Sequence, residues 1–289
     1  MSDDGELAIV VIALLGNPFS PAYARERARG PADALAFSAM NVAVYARGRG
    51  AWSLFERRVG EADRTATGVA IGASTMGWEG DRLVARIDER TTPMGRPVRG
   101  TITLHPETRT RLAHAIDVEG AHTWWPVAPR ARIDVDLPQP GVRFQGHGYH
   151  DANAGDAPIP SAVERWSWSR GRADDGAALL TYDVTLASGD ARALALEVSP
   201  HGDVTTLART WSAPLAPTTW GLSRRSIVDH GEPARVVRAL EDGPFYARAL
   251  IETRLGGRRI VAMHEELAAH RLRRRWVRML TGFRMRRAT

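Results

Sequence analysis

Hydrophobic and polar residues alternate over short segments along most of the chain, and Gly and Pro separate these segments. A two-residue period with many β-branched and aromatic residues predicts strands rather than helices. The number of segments suits two packed antiparallel β-barrels or sandwiches better than a parallel α/β fold. We therefore predict an all-β fold of two domains. The candidate strands are residues 7–15, 39–45, 52–58, 68–71, 74–79, 83–89, 98–104, 131–137, 143–150, 161–170, 177–186, 191–198, 235–240, 245–255 and 258–265.

Turn-forming and strand-breaking residues predict a hairpin and a domain boundary. Gly256-Gly257 joins the last two candidate strands, as expected of a tight β-hairpin. The stretch from Asp156 to Ser161 follows Gly155 and contains two prolines, a combination that breaks a strand. We place the boundary there, with domains at residues 1–160 and 161–289.

Helices are predicted at residues 21–29 and in the C-terminal tail. The tail is amphipathic, with arginines between apolar residues at helical spacing. These apolar residues are Leu272, Trp276, Met279, Leu280 and Phe283.

The composition is that of a globular protein, with 44% hydrophobic and 25% charged residues. The absence of cysteine excludes disulfides and thiolate metal sites. The apolar segment at residues 7–15 follows acidic residues rather than a basic region and is short for a spanning helix. We predict a buried strand there and a cytoplasmic protein.

Positive charge is concentrated in the tail. From Arg271 to Thr289 there are eight arginines and no acidic residue, so the rest of the chain carries about −2 of the +6 total. Two interpretations stay open. The tail is either a docked closing helix with a solvated arginine face, or a peripheral contact between Arg271–Arg287 and an anionic inner membrane, anchored by Trp276 and Phe283. Nucleic acid is not an expected partner, because the body lacks a basic stripe.

Candidate chemistry is concentrated in two nearby stretches. In a strand, His122 and Trp124 share one face, and Tyr149 and Asp151 share one face. A carboxyl group beside a phenol, an imidazole and an indole is able to donate a proton and to surround a cation with π-electrons. The neighbouring Trp125, which faces the other way, is expected to fill the core.

Other interpretations of this cluster are weaker or remain open. Asp151 also fits a turn-forming role, and Asp156 fits a turn or a cap. The histidines His122, His147 and His150 match no strong metal signature, so we expect no metal. The sequence has no phosphate-binding glycine loop and no serine elbow, and we expect no cofactor.

Several motifs resemble the carotenoid 1,2-hydratases, also called hydroxyneurosporene synthases. The resemblance covers nearly the whole chain in the family's order, and the joint occurrence of the motifs is specific. The motifs are Gly16-Asn17-Pro18-Phe19-Ser20-Pro21-Ala22-Tyr23, Met40-Asn41-Val42-Ala43-Val44-Tyr45, Trp78-Glu79-Gly80-Asp81, Trp124-Trp125-Pro126-Val127-Ala128-Pro129, Tyr149-His150-Asp151-Ala152-Asn153-Ala154-Gly155-Asp156, Trp166-Ser167-Trp168-Ser169-Arg170 and His264-Glu265.

The resemblance implies a lipocalin-like (calycin-type) β architecture and a hydro-lyase that works without a cofactor. It implies the addition of water to the terminal 1,2 double bond of an acyclic carotenoid or related isoprenoid. The family's His-x-Trp and Tyr-x-Asp pairs fall on His122, Trp124, Tyr149 and Asp151. His150 stands where the family is expected to have an apolar residue.

A chemical hypothesis follows for these four residues. Protonated Asp151 would donate a proton to the alkene, Trp124 and Tyr149 would stabilise the tertiary carbocation, and His122 would position or deprotonate water. Two alternatives remain: a lipocalin-like cyclase or pericyclase that acts on a polyene, and a non-catalytic carrier of lipids or carotenoids.

Overall fold

The computed structural model of the protein describes residues 1–117, 120–155 and 162–287. Strands make up most of this described chain. Helical elements in it are short: α1 (Pro21–Arg27), α2 (Arg275–Arg284), and 3-10 helices at Leu35–Phe37 and Ala269–Arg273. The strands are β1 (Ala8–Leu14), β2 (Ala39–Tyr45), β3 (Ala51–Glu56), β4 (Ala62–Arg64), β5 (Gly68–Ile71), β6 (Ser74–Glu79), β7 (Arg82–Arg90), β8 (Pro97–Thr108), β9 (His114–Ala115), β10 (His122–Gln139), β11 (Val142–Gly155), β12 (Val163–Arg172), β13 (Ala178–Leu186), β14 (Ala191–Val198), β15 (Val204–Thr206), β16 (Thr210–Leu215), β17 (Arg224–Asp229), β18 (Arg235–Asp242), β19 (Tyr246–Leu255), β20 (Arg258–Leu267) and β21 (Arg286–Arg287).

The described strands form four sheets, and almost all neighbouring strands run antiparallel. The orders are β1-β2-β3-β21, β11-β10-β8-β7-β6-β5-β4 with β9 beside β10, β15-β14-β13-β12-β20-β19-β18, and β16-β17. The exception is the short β21, which runs parallel to β3. None of these sheets closes on itself within the described residues, so the architecture fits sandwiches and not closed barrels. The all-β prediction is confirmed.

The chain divides into two compact units, and each consists of separate chain segments. The first unit contains Met1–Glu107, Ala131–Tyr149 and Arg278–Thr289, and the second contains Thr108–Arg130 and His150–Val277. The long strands β10 and β11 contribute residues to both. A single domain boundary at residue 160 would place Thr108–Arg130 in the N-terminal domain, whereas these residues belong to the second unit. The predicted boundary at residues 156–161 lies outside the described residues and stays a prediction.

The first unit contains the N-terminal sheet. β1 pairs along its length with β2, and every residue of β2 except the last is buried. Ala39, Leu54 and Met285 form a buried cluster in this unit, and Trp52 packs against it. The C-terminal residues therefore belong to the same unit as the N-terminal strand.

The second unit has a core between its own strands. The buried cluster includes Leu179 of β13, Ile251 and Leu255 of β19, and Ile260 of β20. Each such side chain contributes about 1.5–3 kcal/mol when it leaves water. The predicted Gly256-Gly257 hairpin joins β19 to β20, and both glycines have positive φ, as this tight turn requires.

The tail forms the predicted helix α2. Val277 is fully buried and Thr281 nearly so, whereas Trp276 and Met279 are 40% and 60% exposed. The apolar spacing in the sequence therefore predicted the helix, and it left open which side of the helix is buried. Within the described residues, no helix has the length and apolarity needed to cross a membrane.

Candidate active site

The start of β10 carries two of the predicted site residues on its buried face. His122 and Trp124 are buried, at 5% and 0% exposure, and the intervening Thr123 is partly exposed. This is the alternation expected from a two-residue strand period. Trp125 faces the other way, as predicted, but it is 37% exposed and its Nε1 donates to the Thr110 carbonyl at 2.9 Å. The expectation that Trp125 fills the core was wrong.

A hydrogen bond joins Trp124 to the predicted catalytic acid. Trp124 Nε1 donates to Asp151 Oδ2 at 2.9 Å, which links the start of β10 to the end of β11. Asp151 is half-buried within strand β11, so its carboxyl group lies directly against a fully buried indole. Since Asp151 is part of a strand here, the alternative that it forms a turn does not hold.

Two further aromatic rings surround Trp124. The ring of Tyr182 in β13 lies 5.2 Å from it between centroids, tilted by 45°, and the ring of His114 in β9 lies 5.8 Å from it, tilted by 37°. Burial raises the pKa of Tyr182, and the charges of Asp151 and Glu265 raise it further. Tyr182 is therefore a neutral phenol near Asp151. Burial and the charge of Arg192 lower the pKa of His114.

His122 has a buried acidic partner that the sequence did not indicate. Its Nδ1 lies 2.7 Å from Oδ2 of Asp117, and both side chains are buried. The Ala121 amide donates to the other carboxylate oxygen of Asp117 at 2.8 Å. Burial raises the pKa of Asp117, but the hydrogen bonds from the His122 ring and from the Ala121 and His122 amides outweigh it and leave the pKa below its usual range. Asp117 is thus a carboxylate, and it fixes the orientation of the imidazole.

Gly155 lies against the other side of His122. A Cβ atom built on Gly155 would be 2.3 Å from His122 Cδ2 and 2.9 Å from Nε2. Only glycine leaves room for the ring at this approach. The end of β11 therefore contributes Asp151 beside Trp124 and a side-chain-free backbone beside His122.

The remaining sequence candidates occupy different environments. Tyr149 precedes Asp151 by two residues in β11 and is half-buried, but it belongs to the other compact unit. Burial lowers the pKa of His150 to about 4, so its imidazole is neutral at neutral pH. His147 lies 3.2 Å from Asp3 in the first unit, which is a structural role. Asp156 lies outside the described residues.

The second unit therefore assembles a carboxyl group, a hydrogen-bonded indole, a neutral phenol and an imidazole with a fixed carboxylate partner. This set can transfer protons at Asp151 and at His122, and its aromatic rings can stabilise positive charge. Strand period identified His122, Trp124 and Asp151. Asp117, His114 and Tyr182 come from other segments, and no sequence spacing relates them to the three. Gly155 falls within the Tyr149–Asp156 motif, but nothing in the sequence revealed its contact with His122.

Comparisons with known proteins show the family of this chain. Residues 11–289 match the family described as carotenoid hydratase CrtC. The acyclic carotenoid 1,2-hydratase of Thiocapsa roseopersicina is 40% identical over 288 residues, which cover 99% of this chain and 70% of that protein. The enzyme of the same name from Rubrivivax gelatinosus is 34% identical, with 99% and 71% covered. That of Cereibacter sphaeroides is 34% identical over 264 residues, with 91% and 92% covered. The chain therefore belongs to the carotenoid hydratase family, a family of hydro-lyase enzymes.

Proposed function

We propose that the protein adds water across the terminal 1,2 double bond of an acyclic carotenoid or a related isoprenoid. The observation that carries this proposal is the 2.9 Å hydrogen bond from Trp124 to Asp151, in a chain of the carotenoid hydratase family. Hydration neither oxidises nor reduces the substrate, so the proposed reaction needs no redox cofactor. Its participants are a hydrophobic polyene, water and the side chains of the site.

Asp151 acts as the general acid. An isolated trisubstituted alkene is a very weak base, so the donor must be a neutral carboxylic acid held in a dry site. Because Trp124 donates to Oδ2, protonated Asp151 carries its proton on Oδ1. This proton goes to C2 of the substrate, the double-bond electrons form the new C–H bond, and a tertiary carbocation remains at C1.

The aromatic side chains stabilise that carbocation. Trp124 was assigned to this task from the sequence, and Tyr182 is added because its ring lies 5.2 Å from Trp124. Tyr149, the other residue assigned from the sequence, belongs to the first unit, and its role stays a prediction. A desolvated aromatic face contributes about 1–2 kcal/mol to cation binding. Burial keeps Tyr182 neutral, so it offers a π-face and not a nucleophilic phenolate.

His122 receives the proton of the attacking water, and Asp117 is its positioning residue. A water oxygen bonds to C1 while the imidazole accepts a proton, which gives a tertiary alcohol. The Asp117 carboxylate lies 2.7 Å from Nδ1, so Nε2 is the nitrogen that accepts the proton. The same carboxylate stabilises the imidazolium that forms. Proton return from His122 to Asp151 through solvent restores the starting state.

The test is product analysis with lycopene in heavy-oxygen water. A labelled tertiary alcohol is the expected product. Asp151→Asn should lower turnover by about a hundredfold to ten-thousandfold, the usual contribution of general acid catalysis. Asp174→Asn, which changes an exposed aspartate of the same unit, is the matched control and should retain full activity.

The two alternatives give different outcomes in the same experiment. An unlabelled cyclised isomer would identify a cyclase. Stoichiometric binding with unchanged lycopene, unaffected by Asp151→Asn, would identify a carrier. Either result would contradict hydration, as would near-normal turnover by Asp151→Asn.

A further inference from the structure

Two tryptophans stack on each other at the surface of the second unit. The rings of Trp220 and Trp276 lie 6.0 Å apart between centroids, with an interplanar angle of 17°. They are 46% and 40% exposed. Trp220 belongs to the loop between β16 and β17, and Trp276 lies in the first turn of α2. Large apolar rings that remain about half exposed to solvent indicate a binding surface for another molecule.

Arg271 holds this pair in place. Its guanidinium donates to the Trp220 carbonyl at 2.9 Å, to the Gly221 carbonyl at 2.8 Å and to the Pro244 carbonyl at 3.2 Å. The loop itself is closed by a hydrogen bond from the Gly221 amide to the Thr218 carbonyl at 2.9 Å. The stacked rings are therefore presented by a fixed loop and a helix.

The surroundings of the stack are positively charged. Arg273, Arg274 and Arg275 are all exposed, and the chain has no acidic residue from Arg271 onward. The acidic neighbour of this segment is Glu164, which lies 3.6 Å from Arg273 and 3.5 Å from His270. Among the described residues, Arg274 and Arg275 form no ion pair. Two exposed cations beside two exposed indoles fit a partner that combines negative charge with an apolar layer.

We propose that this tryptophan–arginine surface, formed by Trp220, Trp276, Arg274 and Arg275, binds an anionic lipid bilayer. Tryptophan rings favour the boundary between headgroups and acyl chains, and arginines near an anionic leaflet bind its phosphates. A single-stranded nucleic acid fits less well, because each indole already covers one face of the other and the rest of the chain is slightly acidic.

Vesicle flotation with the full chain tests this surface without any carotenoid, so its result is independent of the proposed reaction. Vesicles that contain phosphatidylglycerol in phosphatidylcholine should bind the protein, and vesicles of phosphatidylcholine alone should bind it much more weakly. Added salt should reduce binding, because the attraction is screened. Failure of the phosphatidylglycerol vesicles to bind the protein would overturn the proposal.

Point variants locate the surface. Trp276→Ala should weaken binding by at least about tenfold, since a half-exposed indole loses its apolar contact with lipid. Trp211→Ala is the matched control, because Trp211 is 42% exposed and its Nε1 donates to the Glu232 carbonyl elsewhere in the second unit. Equal losses in the two variants would contradict the assignment.

A pair of charge variants completes the test. Arg274→Gln with Arg275→Gln should weaken binding by about fivefold for each arginine, the ratio expected for one cation near an anionic membrane. Arg64→Gln with Arg96→Gln removes the same charge from exposed positions of the first unit and should leave binding unchanged. If sedimentation shows that the wild type dimerises and Trp276→Ala is monomeric, the surface binds a second copy and the proposal fails.

Discussion

At the scale of single residues, burial and hydrogen bonding decide which titratable side chains carry charge at the site. Asp117 is kept ionised by its hydrogen bonds, although burial acts in the opposite direction. Tyr182 and His150 are kept neutral, in both cases chiefly by burial. The site therefore combines one fixed carboxylate with a neutral phenol, which suits the cation of the proposed reaction.

Asp117→Asn tests the role of the fixed carboxylate. The variant keeps the size of the side chain but loses the charge that stabilises a protonated His122. A charge-assisted hydrogen bond contributes about 1.5–3 kcal/mol, so kcat should fall by about tenfold to a hundredfold. KM should stay the same, because Asp117 reaches the substrate only through His122. An increase in KM with unchanged kcat would contradict a positioning role.

His150→Leu tests the neutral histidine through the pH dependence of stability. The pKa of His150 falls from 6.5 to about 4 on folding, because burial disfavours the imidazolium. Above the unfolded value both states are neutral and stability is unaffected. As the pH falls from 6.5 towards 4, the unfolded chain takes up a proton that the folded chain does not, and stability decreases by up to roughly 3 kcal/mol.

The leucine variant should lose less free energy of unfolding over this pH range than the wild type, as measured by urea denaturation at several pH values. His201→Leu, at an exposed position, is the control and should follow the wild-type curve. Parallel curves for His150→Leu and the wild type would show that His150 does not cause the acid-side loss.

At the scale of elements, the site depends on two strand ends. The start of β10 supplies His122 and Trp124, and the end of β11 supplies Asp151 and Gly155. Strand period fixes which residues share a face, but the approach between the ends of β10 and β11 decides which atoms meet. The 2.9 Å bond from Trp124 to Asp151 and the close fit of Gly155 against His122 both follow from that approach.

Gly155→Ala tests this fit. The new methyl group would overlap His122 Cδ2, so the imidazole must rotate or the end of β11 must shift. We expect a loss of turnover of at least about tenfold with little change in thermal unfolding, since Gly155 is exposed at a strand end. Gly50→Ala, whose Cβ would meet its nearest atom at 3.4 Å, is the control and should be fully active. Normal activity of Gly155→Ala would show that His122 tolerates displacement.

At the scale of the whole molecule, the two ends of the chain belong to one unit. Met285 packs with Ala39 and Leu54, and its sulfur accepts a hydrogen bond from Asn17 at 2.9 Å. β21 adds to the sheet that begins with β1. Removal of the tail would therefore disturb the first unit, which is why point variants, and not truncation, test its membrane contact. The cytoplasmic location expected from the sequence stays a prediction.

Met285→Ala should destabilise the protein, because Met285 forms a buried cluster with Ala39 and Leu54 in the first unit. Loss of a buried methionine side chain costs about 2–5 kcal/mol, so the urea midpoint of unfolding should fall clearly. Met94→Ala is the matched control, because Met94 is 70% exposed. An unchanged midpoint for Met285→Ala would show that the C-terminal residues do not stabilise the first unit.

The sequence by itself determined most of the long strands, the hairpin at Gly256-Gly257 and the shared buried face of His122 and Trp124. These are local properties, because backbone period and turn chemistry act over a few residues. Short strands such as β16 and β17 were missed, since neither shows a long alternating pattern. The all-β class followed from the sum of such local signals.

Tertiary structure alone decided the rest. Tyr182 beside Trp124 and the exposed Trp220–Trp276 stack each join segments that are far apart along the chain. Asp117 lies only five residues before His122, but no strand or helix period relates the two residues. The apolar spacing of the tail did not decide that Val277 is fully buried and that the larger Trp276 stays 40% exposed. Which apolar side chain is buried depends on the neighbour it meets, and the neighbour is set only when distant strands pack together.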